Sequence, residues 1–337
     1  MDLLKILGIE SSCDETAASV VEDGVNILSS VVSSQVNVHH PYGGVVPELA
    51  SRKHIEMIVP VVSESLFTAG IDGAQVDAVA VAQGPGLVGA LLVGFCFAKA
   101  YAFASDIPWI GVDHLKGHIN SVFLESPSPE FPFIALLASG GHTAIYHVTS
   151  HLHAECMGRT RDDAAGEAFD KVAKMLGLGY PGGMVISQLA EKGEPRAIKF
   201  PRPFLDKKEF DFSFSGLKSA VNRYIQTHSE TYQDQIADIA AAFQASVVDV
   251  LVYKALRAAM EKKCRHVALV GGVAANQRLR DQMRESAKRE GIKVFTPSIE
   301  LCGDNAAMIA AAGYYYLKDP GRPADGFDAD VYSRAKK

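Results

Sequence analysis

The feature that most constrains this sequence is a pattern that occurs twice: a buried strand, a turn of small polar residues, and a second strand. The first copy has predicted strands at 5–10 and 17–21 around the turn 11–16, and the second has strands at 133–138 and 143–148. The two turns are separated by about 125 residues, the size of an ordinary domain. Strands and helices alternate after each opening, as in α/β layer folds. The sequence therefore predicts two α/β lobes built on the same plan.

Composition agrees with a globular chain and gives no sign of a membrane protein. The 337 residues are 48% hydrophobic and 21% charged, enough to bury two cores. The net charge of −6 gives no bulk evidence for nucleic-acid binding. Five scattered cysteines indicate free thiols in a reducing cytoplasm. We expect no signal peptide, and a buried helix rather than a membrane span at 87–104, so the expected location is cytoplasmic.

Two histidines, His114 and His118, lie four positions apart in a segment that follows a predicted strand at 109–112. Asp113 is a suitable N-cap, so a short helix is expected there. On a helix this spacing places both imidazoles on one face, where they can bind a single first-row metal ion. A small-residue helix is predicted further on, from Gly303 to Leu317, with Asp304 as its candidate N-cap.

The small-residue turns after strands are candidate phosphate sites, because such turns expose backbone N–H groups. Ordinary hairpins are the alternative for each turn taken alone. Gly271 and Gly272 allow close approach of a flat ligand, and Asn276 can hydrogen-bond to a ribose or a base edge. The segment lacks the G-x-G-x-x-G pattern of dinucleotide-binding folds.

Taken together, these segments closely resemble the bacterial TsaD/Gcp (YgjD) family of tRNA N6-adenosine threonylcarbamoyltransferases. The resemblance covers almost the whole chain in order. It is carried by Glu10-Ser11-Ser12-Cys13-Asp14-Glu15-Thr16, Gly43-Gly44-Val45-Val46-Pro47-Glu48, His114 with His118, Ser139-Gly140-Gly141-His142-Thr143, Gly179-Tyr180-Pro181-Gly182-Gly183, Asp211-Phe212-Ser213-Phe214-Ser215-Gly216-Leu217-Lys218 and Gly271-Gly272-Val273-Ala274-Ala275-Asn276.

The resemblance implies an actin-like, sugar-kinase-like (ASKHA) fold of two duplicated α/β lobes with a nucleotide cleft between them. Residues 1–112 plus about 303–337 would form the N-terminal lobe, and residues 113–302 the C-terminal lobe. The implied reaction moves a threonylcarbamoyl group from threonylcarbamoyl-AMP to the N6 amine of adenosine 37 in tRNAs that read ANN codons, which is t6A biosynthesis.

The resemblance also assigns site residues. His114, His118 and Asp304 resemble the ligands of one divalent metal per subunit, iron first and zinc second. The contacts to the adenylate substrate, or to ATP or ADP in the same place, are implied at Leu137, Ala138, Ser139, Gly140, Gly141, Asp170, Gly183 and Asn276. Two positions depart from the family pattern. Met184 replaces the usual Pro after Gly183, and Ser187 stands where many members have a carboxylate that contacts the ribose.

No general base is assigned from the sequence, but Glu10, Asp14 and Glu15 in the first turn are candidates. The expected partners are tRNA, a smaller paralogue of the TsaB type that meets the apolar helix at 46–66, and a P-loop ATPase of the TsaE type. We expect His39, His40 and His54 to be loop or surface residues. The tail from Pro320 is expected to be loose.

Three other functions are alternatives to this one. A zinc metalloprotease of the O-sialoglycoprotein endopeptidase type would need a Glu between the paired histidines, where Leu115 and Lys116 stand. An ATP-dependent sugar kinase of the same fold would transfer phosphate and would not need His114. A catalytically inactive scaffold would have no reason to retain the candidate ligands.

Overall fold

The structure is a computed structural model that describes residues 3–203 and 209–334. In it the strands are, in chain order, β1 (Lys5–Glu10), β2 (Glu15–Glu22), β3 (Asn26–Ser34), β4 (Ala78–Gly84), β5 (Trp109–Asp113), β6 (Phe133–Ala138), β7 (Thr143–Val148), β8 (Ala154–Arg159), β9 (His266–Val270) and β10 (Lys293–Phe295). The α-helices are α1 (Val36–His39), α2 (Pro47–Ala69), α3 (Val88–Ser105), α4 (His114–Asn120), α5 (Ala165–Met175), α6 (Gly182–Ala190), α7 (Ser215–Thr227), α8 (Ile236–Glu261), α9 (Gln277–Arg289), α10 (Ile299–Cys302) and α11 (Ala306–Lys318).

The chain divides into two compact units. Unit 1 comprises Met1–Ser128 with Gly303–Lys337, and unit 2 comprises Pro129–Cys302. The crossing into unit 2 comes later than the boundary expected after residue 112, because α4 belongs with α11. A Cβ placed on Gly117 of α4 would lie only 2.9 Å from Ile309 of α11. The expected boundary is therefore corrected to Ser128.

Both units contain a five-stranded mixed sheet of the same topology. The strand order is β3-β2-β1-β4-β5 in unit 1 and β8-β7-β6-β9-β10 in unit 2. In each sheet the first three consecutive strands pair antiparallel, and the two later strands join as a parallel extension. Tight turns suffice for the antiparallel strands, whereas the parallel strands require helical crossovers. The repeated opening predicted from the sequence is confirmed as a repeated sheet.

The sheet of unit 1 is covered by helices on both faces. Leu7 and Ile9 of β1 belong to the apolar cluster formed with α2 and α3. Gly8 faces α11, where an added Cβ would lie 2.2 Å from the carbonyl oxygen of Ala306. Because side chains alternate along a strand, β1 serves both layers. The close approach that Gly8 allows fixes the start of α11, and with it the position of Asp304.

Residues 320–334 lie against unit 1 rather than being loose, which corrects the expectation for this part of the tail. The amide of Asp325 donates to the carbonyl oxygen of Trp109, and the amide of Tyr332 donates to that of Gln83. Trp109 lies on the edge strand β5, whose backbone groups would otherwise be left without partners from the sheet. Covering this edge gives the polar tail a defined path.

Two helical stretches, Val88–Ser105 and Tyr232–Glu261, are long and apolar enough to span a membrane by length and composition. The second is 72% buried within unit 2, and the first is 33% buried. Core helices of soluble proteins satisfy the same criteria, so the two stretches are weak evidence for membrane insertion.

Candidate functional site

Helix α4 places His114 and His118 on one face. Its N-cap is Asp113, whose Oδ1 accepts hydrogen bonds from the amides of Leu115 at 3.0 Å and Lys116 at 3.1 Å. The two imidazole centroids lie 4.7 Å apart with their planes at 80°. The helix, its cap and the shared face predicted from the sequence are confirmed. Both rings are buried, so they belong to the interior of unit 1.

Asp304 lies beside this pair, but it does not cap the last helix as expected. Asn305 is the N-cap of α11, and its side chain accepts a hydrogen bond from the amide of Met308 at 2.9 Å. Asp304 therefore precedes the cap, and its carboxylate is directed at the histidines. Its Oδ1 lies 3.1 Å from Nε2 of His118 and 3.7 Å from Nε2 of His114.

The spacing of these atoms fits a metal ion. One ligand atom from each of His114, His118 and Asp304 lies within 4.8 Å of the other two. Two ligands about 2.1 Å from one ion are separated by roughly 3.0 Å at a right angle and 3.4 Å at the tetrahedral angle. The measured separations from Asp304 are close to these values. Two imidazoles with one carboxylate form a donor set common to zinc and non-haem iron.

Glu10 holds His114 in the orientation that a metal requires. Its Oε2 lies 2.9 Å from Nδ1 of His114, and its Oε1 accepts the amide of Ser12 at 2.6 Å. A carboxylate only accepts hydrogen bonds, so the proton of the neutral imidazole lies on Nδ1 and Nε2 keeps its lone pair. In His118, Nδ1 is buried without a hydrogen-bond partner in the described residues.

The electrostatics of the site favour a cation. Burial lowers the pKa of His114, but the carboxylates of Glu10 and Asp304 outweigh burial and raise that pKa to about 9. Burial, together with Asp14 and Asp304, raises the pKa of Glu15 to about 9. Carboxylates crowded in a buried region repel one another, and a divalent cation relieves that repulsion.

The three candidate bases occupy different settings in this region. Glu10 is fully buried, and both of its oxygens are used by His114 and by the backbone. Asp14 is buried and hydrogen-bonds to Glu15, and the carboxylate of Glu15 also accepts the hydroxyl of Ser34 at 3.0 Å. Of the three, the Asp14–Glu15 pair is the one whose carboxylates retain acceptor capacity toward a substrate.

Two of the histidines expected at the surface are buried instead. His39 and His54 are fully buried, which corrects the expectation for them, whereas His40 is exposed. His54 lies 2.8 Å from the hydroxyl of Thr16 and 3.1 Å from the carbonyl oxygen of Cys13, so it holds the first turn on both sides of Asp14 and Glu15. These are contacts between residues about forty positions apart, which no local pattern reveals.

In unit 2, the turn after β6 is fastened to the start of α5. The carbonyl oxygens of Ser139 and Gly140 accept the amides of Gly166 at 3.2 Å and Glu167 at 3.0 Å. A Cβ added to Gly166 would lie 2.6 Å from the Ser139 carbonyl oxygen, so only glycine permits this contact. The turn is consequently held by its carbonyl groups.

Three glycines of unit 2, two of them in this turn, face open space. A Cβ built on Gly140, Gly141 or Gly183 would meet no atom within 4 Å. The neighbour of Gly183, Gly182, is tied to α5, because Oδ1 of Asp170 accepts its amide at 2.7 Å. A ligand can therefore approach the backbone closely at these three positions.

Asn276 caps α9 and also joins a polar network. Its Oδ1 accepts the amide of Leu279, while its Nδ2 donates to Gln244 at 2.7 Å and to Ser187 at 3.1 Å. The hydroxyl of Ser187 donates to Gln244 at 3.1 Å. Ser187 and Gln244 also line a cavity of about 280 Å³ between α6, α8 and α9. Gln244 is a residue of this region that the sequence pattern did not single out.

The expected site residues divide between the two units. The metal-ligand candidates and the candidate bases lie in unit 1. The expected adenylate contacts lie in unit 2, and they are Leu137, Ala138, Ser139, Gly140, Gly141, Asp170, Gly183 and Asn276. Met184, one of the two departures from the family pattern, is 60% exposed beside them.

Comparison with known proteins identifies relatives over nearly the full chain. The family model for TsaD, described as tRNA N6-adenosine threonylcarbamoyltransferase, matches residues 26–311. A protein of that description from Desulforapulum autotrophicum is 58% identical over 98% of this chain and 99% of its own length. Another from Syntrophobacter fumaroxidans is 53% identical with the same coverage.

Among solved structures, the fold resembles that of HypF in a phosphate- and nucleotide-bound form. The TM-score is 0.61 at 18% identity, covering 95% of this chain and 47% of HypF. At this identity the likeness concerns the fold alone. Together with the repeated sheets, it confirms the expected ASKHA-type fold of two duplicated α/β lobes.

Proposed function

This chain belongs to the TsaD family of tRNA N6-adenosine threonylcarbamoyltransferases, and from that premise we propose how its residues perform the transfer. The enzyme moves a threonylcarbamoyl group onto the N6 amine of adenosine in tRNA. We assign the metal to His114, His118 and Asp304, and the adenylate of the donor, threonylcarbamoyl-AMP, to the turn after β6. Neither the protease nor the sugar-kinase alternative is favoured by the comparisons.

The observation that carries the metal assignment is the convergence of three ligand atoms from distant parts of the chain. Nε2 of His118 and Oδ1 of Asp304 are 3.1 Å apart although the residues are 186 positions apart in sequence. Glu10 fixes the tautomer of His114, as carboxylates commonly do behind metal-bound histidines. Two histidines and one carboxylate with open positions are typical of non-haem Fe²⁺, so iron is our first candidate and zinc the second.

We propose that the adenylate is held by backbone groups and by the polar network of Asn276, Ser187 and Gln244 in unit 2. Gly140 and Gly141 allow the phosphate to approach the turn. Asp170 of α5 accepts the amide of Gly182 at the start of α6, and Asn276 with Ser187 presents neutral hydrogen-bonding groups for the ribose. The hydroxyl of Ser187 replaces the carboxylate that many relatives have, and its tie to Gln244 keeps it in place.

The transfer forms a bond between the adenine N6 and the carbamoyl carbon and breaks the bond from that carbon to the phosphate oxygen of AMP. A bound ion would supply Lewis-acid stabilisation for negative charge on the carbamoyl oxygen. The amine loses one proton, which we assign to the Asp14–Glu15 pair. The hydrogen bond between Asp14 and Glu15 lets the two carboxyl groups share that proton. AMP departs as the phosphate anion, so orientation of the two substrates supplies much of the rate.

An apolar surface on unit 1 suits the smaller TsaB-type paralogue. Ile55 and Val59 lie one helical turn apart on α2, and their exposed fractions are 65% and 57%. Val88 and Leu92 repeat this spacing on α3, which packs against α2. Four exposed aliphatic side chains on two packed helices favour burial against a partner. With a net charge of −6, the chain would recruit tRNA with the help of such an assembly, including a TsaE-type ATPase, in the cytoplasm.

A metal titration tests the proposed centre. The protein, stripped with a chelator and reloaded with Fe²⁺ under anaerobic conditions or with Zn²⁺, should hold one ion per chain. His118→Ala and Asp304→Ala should each lose that ion, whereas His153→Ala, which removes an exposed histidine of unit 2, should retain it. Equal metal content in all four proteins would rule out the assignment.

A further inference from the structure

Residues 319–332 form a C-terminal strap that lies along strand β5. This strand leads directly into α4, the metal helix, which carries His114 and His118. Asp325 forms two hydrogen bonds with this strand. Its amide donates to the carbonyl oxygen of Trp109, and its Oδ2 accepts the amide of Gly111 at 2.6 Å. The guanidinium of Arg322 donates to the carbonyl oxygen of Gly111 at 3.0 Å. The strap therefore completes the hydrogen bonding of β5 directly before His114.

The far end of the strap is fastened to β4. The amide of Tyr332 donates to the carbonyl oxygen of Gln83 at 3.1 Å, and Nε2 of Gln83 donates to the carbonyl oxygen of Asp330 at 2.8 Å. A Cβ on Gly84 would lie 2.1 Å from the carbonyl oxygen of Tyr332, so the glycine permits this contact. Tyr332 is thus held at a defined position by its backbone.

From that position, the side chain of Tyr332 reaches the cap of the metal helix. Its hydroxyl donates to Oδ2 of Asp113 at 2.7 Å. The other oxygen of Asp113 accepts the amides of Leu115 and Lys116 at the start of α4. One carboxylate therefore joins the strap to the first turn of the helix that carries His114 and His118.

This arrangement matters because α4 has only seven residues. A helix so short gains little from its own hydrogen bonds and depends on its cap and on tertiary packing. The orientation of the Asp113 carboxylate sets the direction of the first turn, and the Tyr332 hydroxyl fixes that orientation. Loss of the hydroxyl would let Asp113 rotate and would loosen both imidazoles relative to Asp304.

We propose that Tyr332 is a positioning residue for the metal centre, acting through Asp113 from the C-terminal strap. The inference rests on the proposed metal assignment and extends it to Tyr332, whose hydroxyl reaches the cap of α4. Tyr332 would thus influence a metal site whose ligands are His114, His118 and Asp304.

The test compares Tyr332→Phe with Tyr101→Phe. Tyr101 also lies in unit 1 and donates its hydroxyl to a backbone carbonyl oxygen, that of Gly73, at 3.1 Å. Each variant loses one tyrosine hydroxyl hydrogen bond; the bond of Tyr332 goes to a carboxylate and is the stronger one, so the unfolding temperature should fall somewhat more in Tyr332→Phe. Chelator competition should show metal affinity about fivefold weaker in Tyr332→Phe only, less than the worth of one hydrogen bond to a charged group, because the effect reaches the ligands through Asp113. The absorption spectrum of the Co²⁺-loaded protein should shift in the same variant.

A double-mutant cycle with Asp113→Asn shows whether Tyr332 acts through that residue. If it does, adding Tyr332→Phe to Asp113→Asn weakens metal binding less than it does in the wild type. Wild-type metal affinity and an unchanged Co²⁺ spectrum in Tyr332→Phe, alongside a metal site that His118→Ala abolishes, would overturn the inference alone. Failure of the wild-type protein to bind metal at all would overturn the metal assignment and this inference together.

Discussion

Oε2 of Glu10 lies 2.9 Å from Nδ1 of His114, and both side chains are almost fully buried. Glu10 is the last residue of β1, and His114 is the first residue of α4, so the contact joins the central strand of the sheet to the metal helix. It orients the imidazole and supplies negative charge behind it. Glu10 therefore prepares the site although it is not one of the three proposed ligands.

Glu10→Gln should weaken metal binding while leaving the fold intact. The amide keeps the shape of the side chain but removes the charge, and loss of such a partner commonly costs 10- to 100-fold in metal affinity. We expect a reduction of about tenfold, measured by competition with a chelator. Glu56→Gln, a change at an exposed position of α2, provides the matched control and should bind as the wild type does. Unaltered affinity in Glu10→Gln would contradict the orienting role.

Gly141→Ala should impair adenylate binding without unfolding unit 2. An added Cβ meets no protein atom within 4 Å, so stability should change little. The methyl group would occupy space that we assign to the phosphate and should weaken binding of AMP about tenfold, as expected for loss of one charged hydrogen bond. Gly216→Ala, where the Cβ is equally unobstructed, is the control. Calorimetric titration with AMP and thermal unfolding separate the two effects, and equal AMP affinity in both variants would refute the phosphate assignment.

Asp162 should contribute to the acid stability of the protein. It accepts the amides of Phe214 at 2.8 Å and Ser215 at 3.1 Å at the start of α7. Burial raises the pKa of Asp162, but hydrogen bonds from Ser213, Phe214 and Ser215 outweigh it and lower that pKa below the ordinary range. The folded state therefore binds the proton less readily than the unfolded state. The stabilisation is present above the unfolded pKa, about 4, and is lost as pH falls through the lower folded pKa.

Urea unfolding at several pH values measures this effect. Asp162→Asn should lower the free energy of unfolding at pH 7 by about 1 kcal/mol, a usual value for a helix cap, and the difference should shrink toward pH 3. Asp106→Asn makes the same carboxyl-to-amide change at an exposed position at the end of α3 and serves as the control. A difference between Asp162→Asn and wild type that stays constant with pH would show that the charge is not involved.

Ile55→Glu should prevent association with the smaller paralogue while preserving metal binding. A carboxylate introduced into the centre of an apolar contact would be desolvated without a partner, which costs several kcal/mol. Size-exclusion chromatography of the two purified proteins should show a complex with the wild-type chain and with Met260→Glu, a similar change at an exposed position of unit 2. A stable complex with Ile55→Glu would place the paralogue elsewhere.

Local patterns in the sequence predicted the parts of the site that depend on neighbouring residues. Two imidazoles four positions apart behind Asp113 indicated a capped helix, and the helix forms there. The repeated strand, turn and strand indicated duplicated sheets, which share one strand order. Both predictions succeed because helical spacing and strand alternation are set by covalent geometry.

The predictions that failed involve competition between adjacent residues or contacts across the chain. Asp304 and Asn305 are both good N-caps, and only packing of α11 on β1 decides that Asn305 takes the cap. The tail looked loose because its composition is polar, yet β5 offers backbone partners to it. The network of Gln244 with Ser187 and Asn276 likewise joins three separate helices.

The most direct test of the account is the transfer reaction with and without the metal centre. Purified protein, threonylcarbamoyl-AMP and an unmodified tRNA that reads an ANN codon are combined, and modified adenosine is measured by mass spectrometry of the digested tRNA. We expect His114→Ala to lower the rate at least 100-fold, as loss of a metal-dependent charge interaction requires, while His153→Ala reacts at the wild-type rate. Modification by His114→Ala at the wild-type rate would contradict it.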